Sequence, residues 1–277
     1  MTRALLSFFR RDLRALLAFG YLAVMALVAL AAPVLSPYSP TAQNVSDMLA
    51  EPSAAHWMGT DDLGRDILSR LIYGAPATLY ASLLAVSIAL LIGVPIGVVA
   101  GYFGGWIDDV ISRTIDTLLS FPAIVLAIAV TGALGVGLTN GMIAVGIVFS
   151  PQLARLVRAR TLVVRHELYV DAARSFGAST QHILWRHVLP NAIQPVIVQV
   201  TLLLAAALLA EASLSFLGLG IQPPNPSWGA MLARAYQTMD VAPEQMYPPG
   251  LAILFTAVAL NALGESMRAA LDPTLKT

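Results

Sequence analysis

His166 and Glu167 open the H-E-x-x-H pattern, which sets two zinc ligands and a general base on one helix face, but Val170 stands where the second histidine belongs. The other histidines do not repair it. His166, His182 and His187 are spaced 16 and 5 apart rather than the 3 or 4 that shares a helix face, and His56 is remote from all three. No cysteine is available as thiolate ligand or nucleophile, and the G-x-S-x-G elbow is absent. Gly135-Val136-Gly137 and Gly218-Leu219-Gly220 lack the third glycine of a dinucleotide loop. A P-loop needs a lysine for the β- and γ-phosphates, yet the sole lysine, Lys276, follows no glycine-rich loop. Thr60, Asp61, Asp62 and Asp66 gather oxygens without the spacing of a calcium loop. They read either as cation ligands or as caps, with Asp61 or Asp62 starting a short outer helix. The chain is thus expected to have no catalytic residue, no metal site and no cofactor of its own.

The elements that position these residues come from an unusual composition. Of 277 residues, 57% are hydrophobic and 12% charged, and the mean hydropathy is +0.75. Soluble domains carry about a quarter charged residues, and disordered chains are far less apolar. Sixteen Lys+Arg against sixteen Asp+Glu leave a formal net charge of zero, so nothing points to nucleic acid as a partner. Six stretches can cross roughly 30 Å of hydrocarbon: residues 16–35, 78–101, 115–135, 138–157, 192–217 and 250–267. Strand alternation is missing, which removes a membrane barrel. The expected class is all-α: a polytopic protein with six transmembrane helices and the lipid bilayer as its solvent.

Orientation follows from Lys and Arg. With the N-terminus inside, Arg3, Arg10, Arg11, Arg14, Arg113, Arg155, Arg158, Arg160, Arg165, Arg174, Arg186, Arg268 and Lys276 face the cytoplasm, and only Arg65, Arg70 and Arg234 lie outside. Thirteen against three predicts both termini in the cytoplasm. Arg10-Arg11 before an apolar run is also the start of a twin-arginine signal, but the run is long and five further spans follow, so a signal anchor is the better reading. The domain organisation is then a cytoplasmic N-terminus and first span (1–35), an external loop (36–77) and a five-helix core (78–277).

Within that frame, Glu211 is the one acid deep in a span, where it either ties helices together or takes part in function. Trp228, Met231 and Tyr236 sit in the second outer loop, 218–249, which either contacts an external protein or packs as a lid. Gly93, Pro95, Gly97, Pro122 and Pro195 are compatible with bending, whereas Gly141, Ala144 and Gly146 favour close helix contact. The cytoplasmic stretch 169–191 reads as two short helices about a glycine joint. Ala172, Ala173, Arg174 and Phe176 favour helix, Gly177 permits reversal, Ser179 or Thr180 caps the second helix, and Pro190 closes it. The small residues at Asp171-Ala172-Ala173 make a slim face suited to docking.

Asp171-Ala172-Ala173, Gly177 and Leu189-Pro190 resemble the EAA loop of ABC-importer permeases, with Asp171 in place of the commoner Glu. His187-Val188-Leu189-Pro190-Asn191 is similar to the dipeptide, oligopeptide and nickel branch, as are His56-Trp57-Met58-Gly59-Thr60-Asp61 through Gly64-Arg65-Asp66 and Gly101-Tyr102-Phe103-Gly104-Gly105. Glu211 through Gly220, then Pro226-Ser227-Trp228-Gly229, resemble the end of that branch's fifth span, and Asn261, Gly264, Arg268 and Leu271-Asp272-Pro273 resemble its C-terminal end. The extended N-terminal span resembles the C-type partner of the pair. The resemblance implies a type I importer permease fold in a bacterial inner membrane. It also implies a coupling loop at about 165–191, in which Tyr169, Asp171, Ala172, Ala173, Arg174, Phe176, Gly177 and Ala178 meet an ATP-binding subunit. The expected partners are a second homologous permease, two ATP-binding subunits holding ATP and magnesium, and an extracytoplasmic substrate-binding protein, for which Trp228, Met231 and Tyr236 would be contacts. The expected cargo is a dipeptide or oligopeptide, with nickel, haem or glutathione as the alternatives within the branch.

Overall fold

The computed structural model describes residues 12–271, so Arg3, Arg10, Arg11, Lys276 and the Asp272-Pro273 pair lie outside the described residues. Among the described residues the fold is helical, with one isolated bridge between Thr60 and Asp66. Helix α1, Leu13–Leu30, starts at Asp12, whose side chain accepts from the Arg14 and Ala15 amides. A short α2, Ala32–Leu35, follows. Helix α3, Ile67–Phe103, has 37 residues, about 55 Å at 1.5 Å per residue, and so outruns the hydrocarbon core.

Helix α3 begins eleven residues before the apolar run that predicts it, so the 36–77 segment is loop only to Asp66. The early start has a polar cause. Asp66 is the N-cap, taking the Ser69 amide at 2.7 Å and the Ser69 hydroxyl at 2.6 Å on Oδ2. The cap expected at Asp61 or Asp62 is therefore corrected to Asp66. Arg70, which interrupts the apolar pattern, is held by the Pro40 carbonyl at 2.7 Å.

The third predicted span is broken. Helix α4, Gly105–Leu119, and helix α5, Ala123–Leu134, meet at 96°. Pro122 sets the break, since it cannot continue the preceding helix and pushes the residue before it out of helical geometry. Helix α4 carries Asp108, Asp109, Arg113 and Asp116. Two of these acids pair with helix α6, Leu138–Val164: Asp108 with Arg158 and Asp116 with Arg155. The twelve residues of α5 span about 18 Å, too short to cross alone. Five helices among the described residues are thus long and apolar enough to cross, and counting the bent pair as one span makes six.

The core is the contact of α3 with α6, which run side by side in the same direction. Gly93, Gly97 and Gly101 form a stripe at four-residue spacing along α3. A Cβ at Gly93 would stand 2.7 Å from the Ser150 carbonyl, and one at Gly97 2.5 Å from that of Ala154. Without side chains the backbones touch, as small residues permit in membrane bundles. Close contact, rather than bending, therefore accounts for Gly93 and Gly97, and Gly146 packs on the Ala85 carbonyl in the same way. Helix α10, Gln194–Phe216, covers this pair, and helix α12, Tyr247–Leu271, lies against α10 and α1. The last contact is fixed by Tyr21 with Thr256 at 3.1 Å and by the Ser266 hydroxyl on Asp12 at 2.5 Å.

Candidate functional site

Two polar assemblies occupy opposite ends of the bundle. One is the connection after α6. Helix α7, Leu168–Ser175, ends where Gly177 adopts φ +77°, a left-handed turn free of Cβ cost only for glycine. Helix α8, Thr180–Ile183, then starts at Ser179, whose hydroxyl accepts the His182 amide at 3.3 Å. The glycine joint and the serine cap stand as expected. Pro190 does not close the second helix, which is a correction. The chain winds into a π-turn, Leu184–Val188, and passes into helix α9, Leu189–Ala192, with Pro190 near its start. The Leu189 amide reaches back to the Leu184 carbonyl in the wider i→i−5 pattern before the proline's missing N–H interrupts the ladder.

This connection has a small core of its own: Val164, Val170, Ile183 and Val188, with Ala173 and Ala178 packed on it. Arg165 fastens it to the bundle by donating from Nη1 to the Gly101 carbonyl at 3.0 Å and the Tyr102 carbonyl at 3.3 Å, satisfying the C-terminal carbonyls of α3. The outward face carries Leu168, Tyr169, Asp171, Ala172, Arg174 and Phe176, the last 90% exposed. Asp171 and Arg174 pair at 3.0 Å across one helical turn. Partial desolvation where the ring lies on the chain, and the nearby Glu167 carboxylate, push the Tyr169 phenol above its ordinary range, although the residue is 41% exposed. Of the eight residues expected to dock, Ala173 and Ala178 thus turn partly inward and support the others. Phe176 and Leu168 are the most exposed apolar side chains of that face, and Leu168 was not singled out from the sequence. Its 86% exposure beside a buried Val170 is the sign.

The other end joins two loops that are remote in sequence. Asp61 takes the Leu63 and Arg65 amides on Oδ1, each at 3.0 Å, and holds Arg65 Nε on Oδ2 at 2.7 Å. His56 Nδ1 lies 2.9 Å from Asp66. Helix α11, Trp228–Gln237, brings Arg234 Nε to Asp62 at 2.5 Å, and Gln245 donates to the Thr60 carbonyl at 2.9 Å. The acids are therefore engaged by arginines, amides and hydroxyls. No group of acids and histidines among the described residues is arranged to hold a metal ion.

Trp228 and Met231 correct the expectation of an external contact. Trp228 is fully buried, with its backbone amide on Thr78 Oγ1 at 3.2 Å and its indole N–H on the Leu71 carbonyl at 2.9 Å. Met231 is buried beside it, and of the three only Tyr236, its ring tilted against that of Phe216, presents a surface. Glu211 is buried in α10. Its Oε1 accepts the Ser215 hydroxyl at 2.7 Å, and its Oε2 makes no hydrogen bond among the described residues.

The bundle thus carries, at one end, an exposed helix pair with a small core of its own. The chain belongs to the family of binding-protein-dependent transport system inner membrane components, which matches residues 93–277. The N-terminal membrane domain of oligopeptide transport permease C matches residues 3–52. The protein is thus a polytopic permease of an ABC importer and not an enzyme, and ATP is hydrolysed by partner subunits. Among its relatives, the glutathione transport system permease protein GsiD of Salmonella typhimurium strain LT2 is 47% identical over 97% of this chain and 89% of its own. The protein of the same name from Escherichia coli O6:H1 is 45% identical over the same shares. In fold, the chain is similar to the inward-facing MetNI methionine ABC transporter, with a TM-score of 0.60 and 20% identity over 74% of this chain and 97% of that one. An amino acid ABC transporter crystallised with histidines gives 0.52 and 21% over 76% and 94%.

Proposed function

We propose that this chain is the permease of an importer for short peptides, with glutathione the favoured cargo, and that α7 is its contact with an ATP-binding subunit. The observation that carries the contact is the outward face of α7, with Leu168, Tyr169, Ala172 and Phe176 unburied on a connection stable enough to have its own core. An exposed apolar face on a folded element marks an interaction surface. Arg165 then gives a path for motion, because it joins that connection to the end of α3. The relatives named for glutathione transport favour glutathione, a tripeptide, over nickel or haem.

In this reading the α7 end is cytoplasmic, together with Asp12 and Ser266, and the loops around Asp61 and Arg234 face outward. A second homologous permease completes the path, two ATP-binding subunits carry ATP and magnesium, and a binding protein delivers cargo at the outer loops. The permease moves cargo without covalent chemistry. ATP biases its two states only by favouring one of them through the docked subunits. Reconstitution with the cognate binding protein and ATP-binding subunits tests it. Labelled glutathione and a panel of dipeptides should enter proteoliposomes only with ATP, glutathione at the lowest concentration. Uptake of nickel or haem with no peptide uptake refutes the cargo assignment.

A further inference from the structure

The end of α10, the loop after it and helix α11 border a half-open cleft of about 230 Å³. Arg65, Arg70 and Arg234 all line it, and no acidic side chain does. Their positive charge is only partly matched. Asp61 is shared between Arg65, with Nη2 at 2.6 Å, and Arg70, with Nε at 3.4 Å. Asp62 serves Arg234, and Asp66 is turned onto His56 and Ser69. Three guanidinium groups therefore face two carboxylates.

The unused donors lie on the same wall. Arg65, 1% exposed, is engaged by Asp61 through Nε at 2.7 Å and Nη2 at 2.6 Å, so the free donors belong to Arg234. Arg234 engages Asp62 through Nε, and neither of its terminal nitrogens makes a hydrogen bond within the described chain. The side-chain amides of Asn225 and Gln237, also lining the cleft, make none either. The terminal nitrogens of a half-buried guanidinium are open to an outside acceptor, and a planar oxyanion answers two of them at once. The surplus is one charge, which suits a carboxylate better than a doubly charged phosphate. The remaining walls, Ile221, Pro223, Ala230 and Ala233, are apolar, and about 230 Å³ is room for the end of a short peptide.

We propose that this cleft binds the carboxylate of the peptide cargo. The proposal rests on the short-peptide reading above and adds the chemical group that this chain itself recognises. Binding is measured on the full complex of both permeases and ATP-binding subunits in nanodiscs, without binding protein. The probes are dialanine and dialanine amide, and glutathione and its glycine amide. Wild type should prefer each carboxylate over its amide by about tenfold, and Arg234→Gln should erase most of that preference. Gln237→Glu, on the exposed rim, should do the same by repulsion without touching a buried pair. A wild type without carboxylate preference, or a preference that survives both variants, overturns the assignment. So does a pair of variants that weaken docking of cargo-free binding protein and leave the preference intact, because the carboxylate would then belong to that protein. Uptake of labelled glutathione by wild type is scored separately. Normal uptake with no carboxylate preference removes only the cleft, whereas a preference without peptide uptake removes only the importer reading.

Discussion

At the scale of single residues, the buried acid and the capped helix start make opposite demands. Glu211 offers one oxygen to Ser215 and leaves the other without a hydrogen bond, inside a helix that crosses the bilayer. Glutamine keeps the shape and the acceptor, so Glu211→Gln should assemble and import as wild type. Leucine strands the Ser215 hydroxyl and should lower stability by about 1–3 kcal/mol, read as a lower melting temperature in detergent. Loss of import by a fully assembled Glu211→Gln complex would show that the acid acts through its charge. Asp12 lies outside the span. The Ser266 hydroxyl, more than its two backbone amides, holds its carboxyl below the usual aspartate range. A lowered folded-state pKa stabilises the fold above the unfolded value and fades as pH falls through the folded one. The protection factors of the Arg14 and Ala15 amides, that is, exchange relative to the intrinsic rate at each pH, should therefore fall below about pH 4, and Asp12→Asn should flatten that dependence.

At the scale of elements, the seam and the α7 connection make separable predictions. Gly97→Leu puts a Cβ into the Ala154 carbonyl and Val157, neither of which can yield without moving α6. The complex should fail to assemble or lose about 1–3 kcal/mol, whereas Gly132→Leu, with open space at its Cβ, should be tolerated. Ala172→Trp and Phe176→Ala alter only the outward face of α7, so both should fold while uncoupling ATPase activity from import. Ala173→Trp instead enters the small core beneath and should disorder the connection, seen as proteolysis there. The elements were unequally legible in the sequence. Apolar runs located every crossing, and the glycine joint with its serine cap was readable because Gly177 and Ser179 have strong local preferences. The bend at Ser120–Pro122 was hidden because Asp116 and Ser120 are too few to interrupt the apolar run and a proline inside a span is often tolerated. The first eleven residues of α3 were hidden by Arg70 and Pro76, because the partners that make Arg70 acceptable come from a distant loop.

At the scale of the whole molecule, orientation is the clearest test. The natural sequence has no cysteine, so single cysteines report without background. Ser53→Cys should react with an impermeant maleimide on intact cells, and Ser175→Cys only after permeabilisation. The reverse pattern would invert the protein. The exposed face proposed for docking on α7 was legible because small and apolar residues broke the surface pattern there. The 218–249 loop was not legible in this way, because prolines and polar residues disguise a tryptophan locked onto α3 through its indole. Local composition marks a loop, but only the tertiary contact says which of its side chains remain outside.

The seam between α3 and α6 has a mechanical consequence. Where side chains separate two helices, the helices slide by changing rotamers, and the motion is gradual. Backbone against backbone has no such play, so relative sliding at Gly93, Gly97 and Gly101 would meet carbonyl oxygens and Cβ atoms at once. Arg165 adds a rivet where both helices end. The two helices and the α7 connection therefore form one rigid link in the kinematic chain. Whatever freedom alternating access requires must reside in other joints, among which the right-angled corner at Ser120–Pro122 is the most conspicuous.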